Sequence, residues 1–217
     1  MKTYLIVAHP DDETIFFSSL MQNKKDLQVI CVTNGDADGM GEKRSRDFSN
    51  ACKAQGQKGV MWDFEDIYEK RLDQQSLQKK LKSLPDVGLV YTHGIIGEYG
   101  HPHHQDVSYA VHSVFKDKVM STSYNCYPDE SFKLSKQEFE LKNEILSTTY
   151  LSETVRFSHI IPVTAWEGFT KVSLDEVSAI YAFMTQKASL KKDSLVHYKW
   201  LYEHLLHTFG QALPRLF

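Results

Sequence analysis

The chain has 217 residues, 41% of them hydrophobic and 24% charged, with a formal net charge of −3. That balance excludes a disordered chain, a collagen and a coiled coil, and the length suits one large domain or two small ones. There is no basic excess of the kind that draws nucleic acid or anionic lipid, so neither is an expected partner.

In chain order, Thr3–Ala8 reads as a buried strand and Glu13–Gln22 as a helix with apolar Ile15, Phe16, Leu20 and Met21. Leu27–Thr33 is a second strand, and Asn34–Gly41 a loop by its Gly, Asn and Asp content. Glu42–Gln55 is a helix stopped near Gly56, Gly59–Trp62 a short strand, and Leu72–Leu84 a helix ended by Pro85. Gly88–Thr92 is another buried strand, His103–Phe115 a helix and Val119–Tyr124 a strand. Lys136–Leu146, Leu174–Thr185 and Asp193–Phe209 read as helices, with Gly210 and Pro214 stopping the last. Strands separated by helical patterns imply right-handed βαβ units and a parallel sheet. The simplest organisation is one domain over 1–217, with a core of 1–130 and an extension over 131–217.

Ten histidines stand against three cysteines, so a metal site is expected to use imidazole and carboxylate. Cys31, Cys52 and Cys126 form no Cys-x-x-Cys, and their odd number suits a reducing cytoplasm. The apolar run at the N-terminus is too short for a signal peptide, and no stretch approaches the ~20 residues of a membrane span. A cytoplasmic protein is the expectation.

Two strand ends carry nearly the same text. The first strand runs into His9-Pro10-Asp11-Asp12, and the Gly88–Thr92 strand is followed by His101-Pro102-His103-His104. Proline suits the first helical position, so His9 and His101 are each expected as an N-cap, with Asp12 and His104 beside them. In open parallel sheets ligands bind beyond the carboxyl ends of strands. If the two strands are neighbours, His9, Asp12 and one of His101 or His104 form a three-ligand site with an open position. Asp11 lies between two ligands and is free to carry a proton. The competing explanation is that Asp11, Asp12 and Glu13 merely favour the helix dipole.

Ala8-His9-Pro10-Asp11-Asp12-Glu13 and Gly97-Glu98-Tyr99-Gly100-His101-Pro102-His103-His104 resemble the two signatures of the LmbE-like, or PIG-L, zinc-dependent N-deacetylases. Thr33-Asn34-Gly35-Asp36, Arg44, Asp47, Ala51 and Gly56 match the weaker pattern between them, and Tyr150-Leu151-Ser152-Glu153 is a further echo. The likeness covers roughly residues 1–115. It implies an α/β, Rossmann-like three-layer sandwich with a mostly parallel sheet and a C-terminal helical embellishment. It implies Zn2+ on His9, Asp12 and His104, with Fe2+ or Co2+ as other fillings. Asp11 would be general base and then acid, His101 would stabilise the oxyanion, and Tyr99 would assist. Arg44, Asp66 and Asp36 would contact the substrate, a small amino-sugar conjugate that loses its N-acetyl group to metal-activated water. The chain departs from the family at His103, where aspartate is common. That aspartate would keep His101 charged. Here Asp106 or Glu98 substitutes for it, or His101 acts as a neutral donor; His103 itself is expected to face solvent.

Two rival functions are a metal-dependent sugar-binding protein and a nucleotide-sugar glycosyltransferase using Asp36 and Asp38 of Asp36-Ala37-Asp38. His204 and His207 are read as dipole-favoured residues rather than ligands. His93 is expected near the pocket mouth. Tyr124, Tyr127, Trp166 and Phe169 are expected in the core rather than stacked on sugar. Self-association stays open.

Overall fold

The computed structural model describes residues 1–157 and 161–210. Its first half alternates strand and helix: β1 (Lys2–Val7), α1 (Asp12–Asn23), β2 (Gln28–Thr33), α2 (Gly41–Ala54), β3 (Lys58–Phe64), α3 (Gln74–Lys82), β4 (Val87–Thr92), α4 (Pro102–Phe115) and β5 (Val119–Thr122). The second half adds β6 (Glu130–Lys133), α5 (Lys136–Thr148), α6 (Leu151–Phe157), β7 (Trp166–Thr170), α7 (Leu174–Met184) and α8 (Tyr202–Phe209). The sheet order is β3-β2-β1-β4-β5-β7-β6. Strands β1 to β5 pair in parallel, while β7 pairs antiparallel with β5 and β6.

Side chains alternate across a strand, and both faces of the central strands are covered, so their apolar runs are continuous. Leu5 and Val7 pack with Phe17, Leu20, Phe48, Ile145 and Phe169 on the face of α1, α2 and α5. Tyr4 and Ile6 pack with Leu77, Val107 and Val111 on the face of α3 and α4. A third cluster around Val177, Ile180, Leu195, Tyr198 and Leu205 docks α7 and α8 beside α4, where Tyr109 and Tyr181 stack at 4.1 Å.

Helix α1 breaks at Phe17 (φ −133, ψ 18). The freed amides are met by Glu167 of β7, which accepts from Ser18 N (3.1 Å), Ser19 N (2.8 Å) and Ser19 Oγ (2.6 Å). Lys142 Nζ, also buried, neutralises that carboxylate at 2.7 Å. A new helix start is thereby capped from another strand.

The structure corrects several expectations. The extension is not only helical, because β6 and β7 continue the sheet. Its short strands lack the long apolar runs that betray β1 and β2. Asp193–Phe209 is not one helix: 3₁₀ turns at Lys192–Ser194 and Lys199–Leu201 precede α8. Helix α1 starts at Asp12 with Asp11 as its N-cap residue, so His9 and Pro10 lie in the turn before it. Pro214 lies outside the described residues.

Candidate active site

β1 and β4 are adjacent, so the turn after β1 and the loop after β4 open on one sheet edge. In the first turn Asp11 holds φ 114, a rare backbone for a side-chain-bearing residue. Glu13 props it there, accepting the Asp11 N–H at 3.0 Å. Glu13 also accepts from Thr14 Oγ1 (2.6 Å) and Tyr150 Oη (2.9 Å). Burial pushes the Glu13 carboxyl up to about 7, with these bonds opposing. In the second loop Gly97 has φ 79, and a Cβ there would lie 2.6 Å from the His101 carbonyl. His101 is the N-cap residue of α4 and Pro102 sits in its first turn.

Three atoms that could ligate a metal ion converge. His9 Nδ1 lies 3.2 Å from His104 Nε2, and Asp12 stands 3.4 Å from the first and 3.3 Å from the second. The His9 amide donates to Asp12 at 2.8 Å and steadies the carboxylate. His104 Nδ1 donates to Glu98 at 2.6 Å, which leaves its Nε2 as a bare lone pair. His103 Nε2 faces the carbonyls of Ile67 (3.1 Å) and Lys70 (2.9 Å), so it carries a proton and its Nδ1 is an acceptor. That acceptor lies 3.0 Å from His9 Nε2. When Nε2 of His9 donates to it, Nδ1 offers its lone pair toward His104. Two imidazole lone pairs and a carboxylate aimed at one point need a cation between them. The donor set therefore fits the divalent ion that the sequence implies.

Glu98 lies beneath this set. It accepts from His93 Nδ1 (3.0 Å), His104 Nδ1, Gly94 N (2.9 Å) and Thr122 Oγ1. Burial would raise its carboxyl, but these partners hold it well below the usual carboxylate range. His93 Nε2 accepts the Ala8 amide at 2.9 Å. His93 is fully buried under the site, not at its mouth.

A cavity of about 250 Å³ opens over these atoms. His9, Asp11, Asp12, Arg44, Asp66, Tyr99, His101 and Glu153 are among its walls. The Asp11 carboxyl makes no hydrogen bond among the described residues. Burial and the charges of Asp12 and Glu13 raise it well above the carboxylate range. His101 Nδ1 accepts the His103 amide at 3.2 Å, so its proton sits on Nε2. Burial and the surrounding imidazoles hold His101 neutral. Tyr99 stands at the lip, its ring 5.8 Å from that of His101.

Arg44 donates to Gly35 O (3.1 Å), Asp38 (3.2 Å) and Glu153 (2.6 Å), and its Nη1 lies 3.6 Å from Asp66. Burial would raise the Asp66 carboxyl, but His103 and His9 hold it far below its usual value. Asp36 is not brought into the cavity; it caps the Gly41 amide at 2.8 Å. Asp38 is engaged by Arg44 and Arg156. Neither belongs to a metal-competent group among the described residues.

His103 does not face solvent. It is fully buried and braces His9, while Asp106 is committed to Arg71, Leu72 N and Tyr181. Glu98 is equally far from the role expected of it, since it serves His93 and His104 rather than His101. Sequence reading missed Glu13 as a support for Asp11, because an acidic first turn already has an explanation in the helix dipole.

The family model described as GlcNAc-PI de-N-acetylase, PIG-L, matches residues 4–115. An uncharacterized protein of Acanthamoeba polyphaga mimivirus is 31% identical over 137 residues, covering 56% of this chain and 61% of the relative. A probable N-acetylglucosaminyl-phosphatidylinositol de-N-acetylase of Dictyostelium discoideum is 28% identical over 131 residues, covering 54% of this chain and 50% of its own. The chain thus aligns with only about half of the length of these curated relatives. Among solved structures, the N,N'-diacetylchitobiose deacetylase of Pyrococcus horikoshii superposes with a TM-score of 0.59 at 15% identity. That superposition covers 80% of this chain and 84% of the other, and it supports the fold.

Proposed function

The chain belongs to the PIG-L family, and we propose on that premise that it is a metal-dependent amidohydrolase removing an N-acetyl group from an N-acetylglucosamine-type conjugate. The carrying observation is the convergence of His9 Nδ1, His104 Nε2 and Asp12 beside an uncommitted, buried Asp11. His9, Asp12 and His104 would hold the ion. Zn2+ suits two imidazoles and a carboxylate, and Fe2+ or Co2+ fit the same donors. The ion would supply Lewis acidity toward water and the acyl oxygen.

The chain's own groups supply the rest. Asp11 takes a proton from the attacking water and returns it to the departing amine, so water and amide become acetate and free amine. A raised carboxyl with no protein partner suits the return of the proton, and a cation held beside it would favour the ionised form that the first step needs. His101 offers Nε2–H to the developing oxyanion as a neutral donor, a contribution of ~2.7–4 kcal/mol for one such group. Tyr99 keeps its hydroxyl proton, since burial and the nearby carboxylates raise its pKa, and it adds a second donor at the lip. Arg44 and Asp66 line the cavity where sugar hydroxyls would lie. The strained backbone at Asp11 supports a functional role for this turn, and its uncommitted carboxyl favours a proton-transfer role over one that only holds sugar. Among the described residues no helix is long and apolar enough to cross a membrane.

The test is acetate or amine release from a panel of N-acetylglucosamine conjugates, with and without chelator. Chelator-sensitive release supports the proposal. Binding of the same conjugates with no release from any of them would replace it with the sugar-binding reading.

A further inference from the structure

The two ring nitrogens of His9 face different sets of atoms. Nδ1 belongs with Asp12 and His104, as described above. Nε2 lies on the other side of the ring, 3.0 Å from His103 Nδ1 and 3.5 Å from Asp66 Oδ1. Those two atoms are 3.4 Å from each other. The triangle on Nε2 therefore nearly matches the one on Nδ1, whose edges are 3.2, 3.3 and 3.4 Å. Donors held about 2.0–2.1 Å from a tetrahedral ion stand about 3.3–3.4 Å apart.

This second triangle is short of protons. The His103 proton sits on Nε2, against the Ile67 and Lys70 carbonyls, so Nδ1 is a lone pair. The Asp66 carboxylate is likewise an acceptor: Oδ2 turns to Arg44 Nη1 at 3.6 Å, while Oδ1 faces the two imidazoles. One proton, on His9 Nε2, thus serves two acceptors in a buried place. A divalent cation would meet all three atoms at once. The three come from three separate segments, namely the turn after β1, the stretch after β3 and the first turn of α4. His101 borders them, with a ring nitrogen within 4.8 Å of one on His9 and one on His103. His9, Asp66 and His101 also line the cavity, which gives an ion a way in.

We propose that His9 Nε2, His103 Nδ1 and Asp66 Oδ1 form a second metal site, joined to the first through the His9 ring. Two nitrogens and a carboxylate oxygen suit Zn2+, Co2+ or Cu2+ rather than Mg2+ or Ca2+, which take oxygen donors. The incoming ion displaces the Nε2 proton to solvent. With both sites filled His9 has given up both its protons, so the second ion binds after the first and more weakly. Histidine at position 103, in place of the family's common aspartate, supplies a nitrogen donor to this site. The proposal rests on these three atoms and not on the deacetylase reading, and metal counting tests it whatever bond the chain cleaves.

The probe is Co2+, dialysed at increasing concentration against the full-length, metal-stripped protein, with bound metal counted per chain. The unmodified chain should approach two equivalents, the second bound about tenfold or more weakly than the first. Asp66→Asn leaves His9, Asp12 and His104 in place and should stop at one. His104→Ala takes a ligand from the first site alone, and should keep one ion that is lost when Asp66→Asn is added. Circular dichroism checks that the variants fold, and the count in the unmodified chain needs no variant. Saturation at one equivalent in the unmodified chain would overturn the proposal. So would a second equivalent that survives Asp66→Asn, which would place the extra ion on exposed groups such as His204 and His207.

Discussion

Replacing His103 by leucine should weaken binding of the first ion without touching any of its ligands. His103 is buried between His9 and the segment after β3, with Nδ1 3.0 Å from His9 Nε2 and Nε2 within 3.1 Å of two carbonyls. Leucine fills much of the volume but pairs with none of them. Losing the outer partner of a ligating histidine typically costs 10–100-fold in metal affinity. The two carbonyls and the His9 N–H are left unmet, at about 1–3 kcal/mol each before any water enters. Competition against a chromophoric chelator at pH 7.5 measures the first effect, and denaturant unfolding of the metal-free protein the second. His103→Asn, whose shorter amide can meet His9 Nε2 but not the two carbonyls, should fall between. If His103→Leu bound metal within about twofold of the unmodified chain, His9 would be oriented by something else, with Asp66 at 3.5 Å the next candidate.

Three other outcomes follow from the same geometry. Asp11→Asn should retain metal and lose most turnover, checked by metal content beside single-turnover acetate release; full activity would move the base elsewhere. Metal uptake should release a proton at neutral pH. Burial lowers the His9 pKa, but Asp12 and Asp66 outweigh it and carry it to about 10, so the ion displaces a bound proton. Apparent affinity should climb about tenfold per pH unit from 7 toward 10, and calorimetry in buffers of different ionisation enthalpy reads the proton count. His112, remote from the cavity, is pushed down to about 4 by burial. The folded state therefore resists its protonation while the unfolded chain takes the proton at about 6.5. Its contribution is complete above about pH 6.5 and falls away toward pH 4, with about 2 kcal/mol lost by pH 5. Denaturant unfolding of His112→Leu at pH 7 and 5 should show that loss removed.

The two His-Pro turns were legible because strand ends and proline constrain the backbone locally. Parallel pairing of β1 with β4 then brings His9, Asp12 and His104 together. What stayed hidden depends on contacts between distant segments. Glu13 and Tyr150 meet across 137 positions, and His103 reaches back 33 residues to the Lys70 carbonyl. A histidine in the place of an aspartate gives no hint that its partner has changed from His101 to His9. Helix α8 and the turns before it share an apolar pattern that periodicity reads as one helix, and only the chain's path shows the breaks.

The buried Lys142–Glu167 pair has a consequence for how the two halves of this chain depend on each other. Family likeness fades after residue 115, yet Glu167 holds the restart of the helix that delivers Asp12. Glu153 likewise grips Arg44, and Tyr150 reaches Glu13. The dissimilar half is thus wired into the similar half by charge and hydrogen bond, not appended to it. A second half without counterparts of Glu167 and Glu153 would strand the Ser18 and Ser19 amides and cost Arg44 its 2.6 Å partner. Those few anchoring atoms make the extension part of the site's frame.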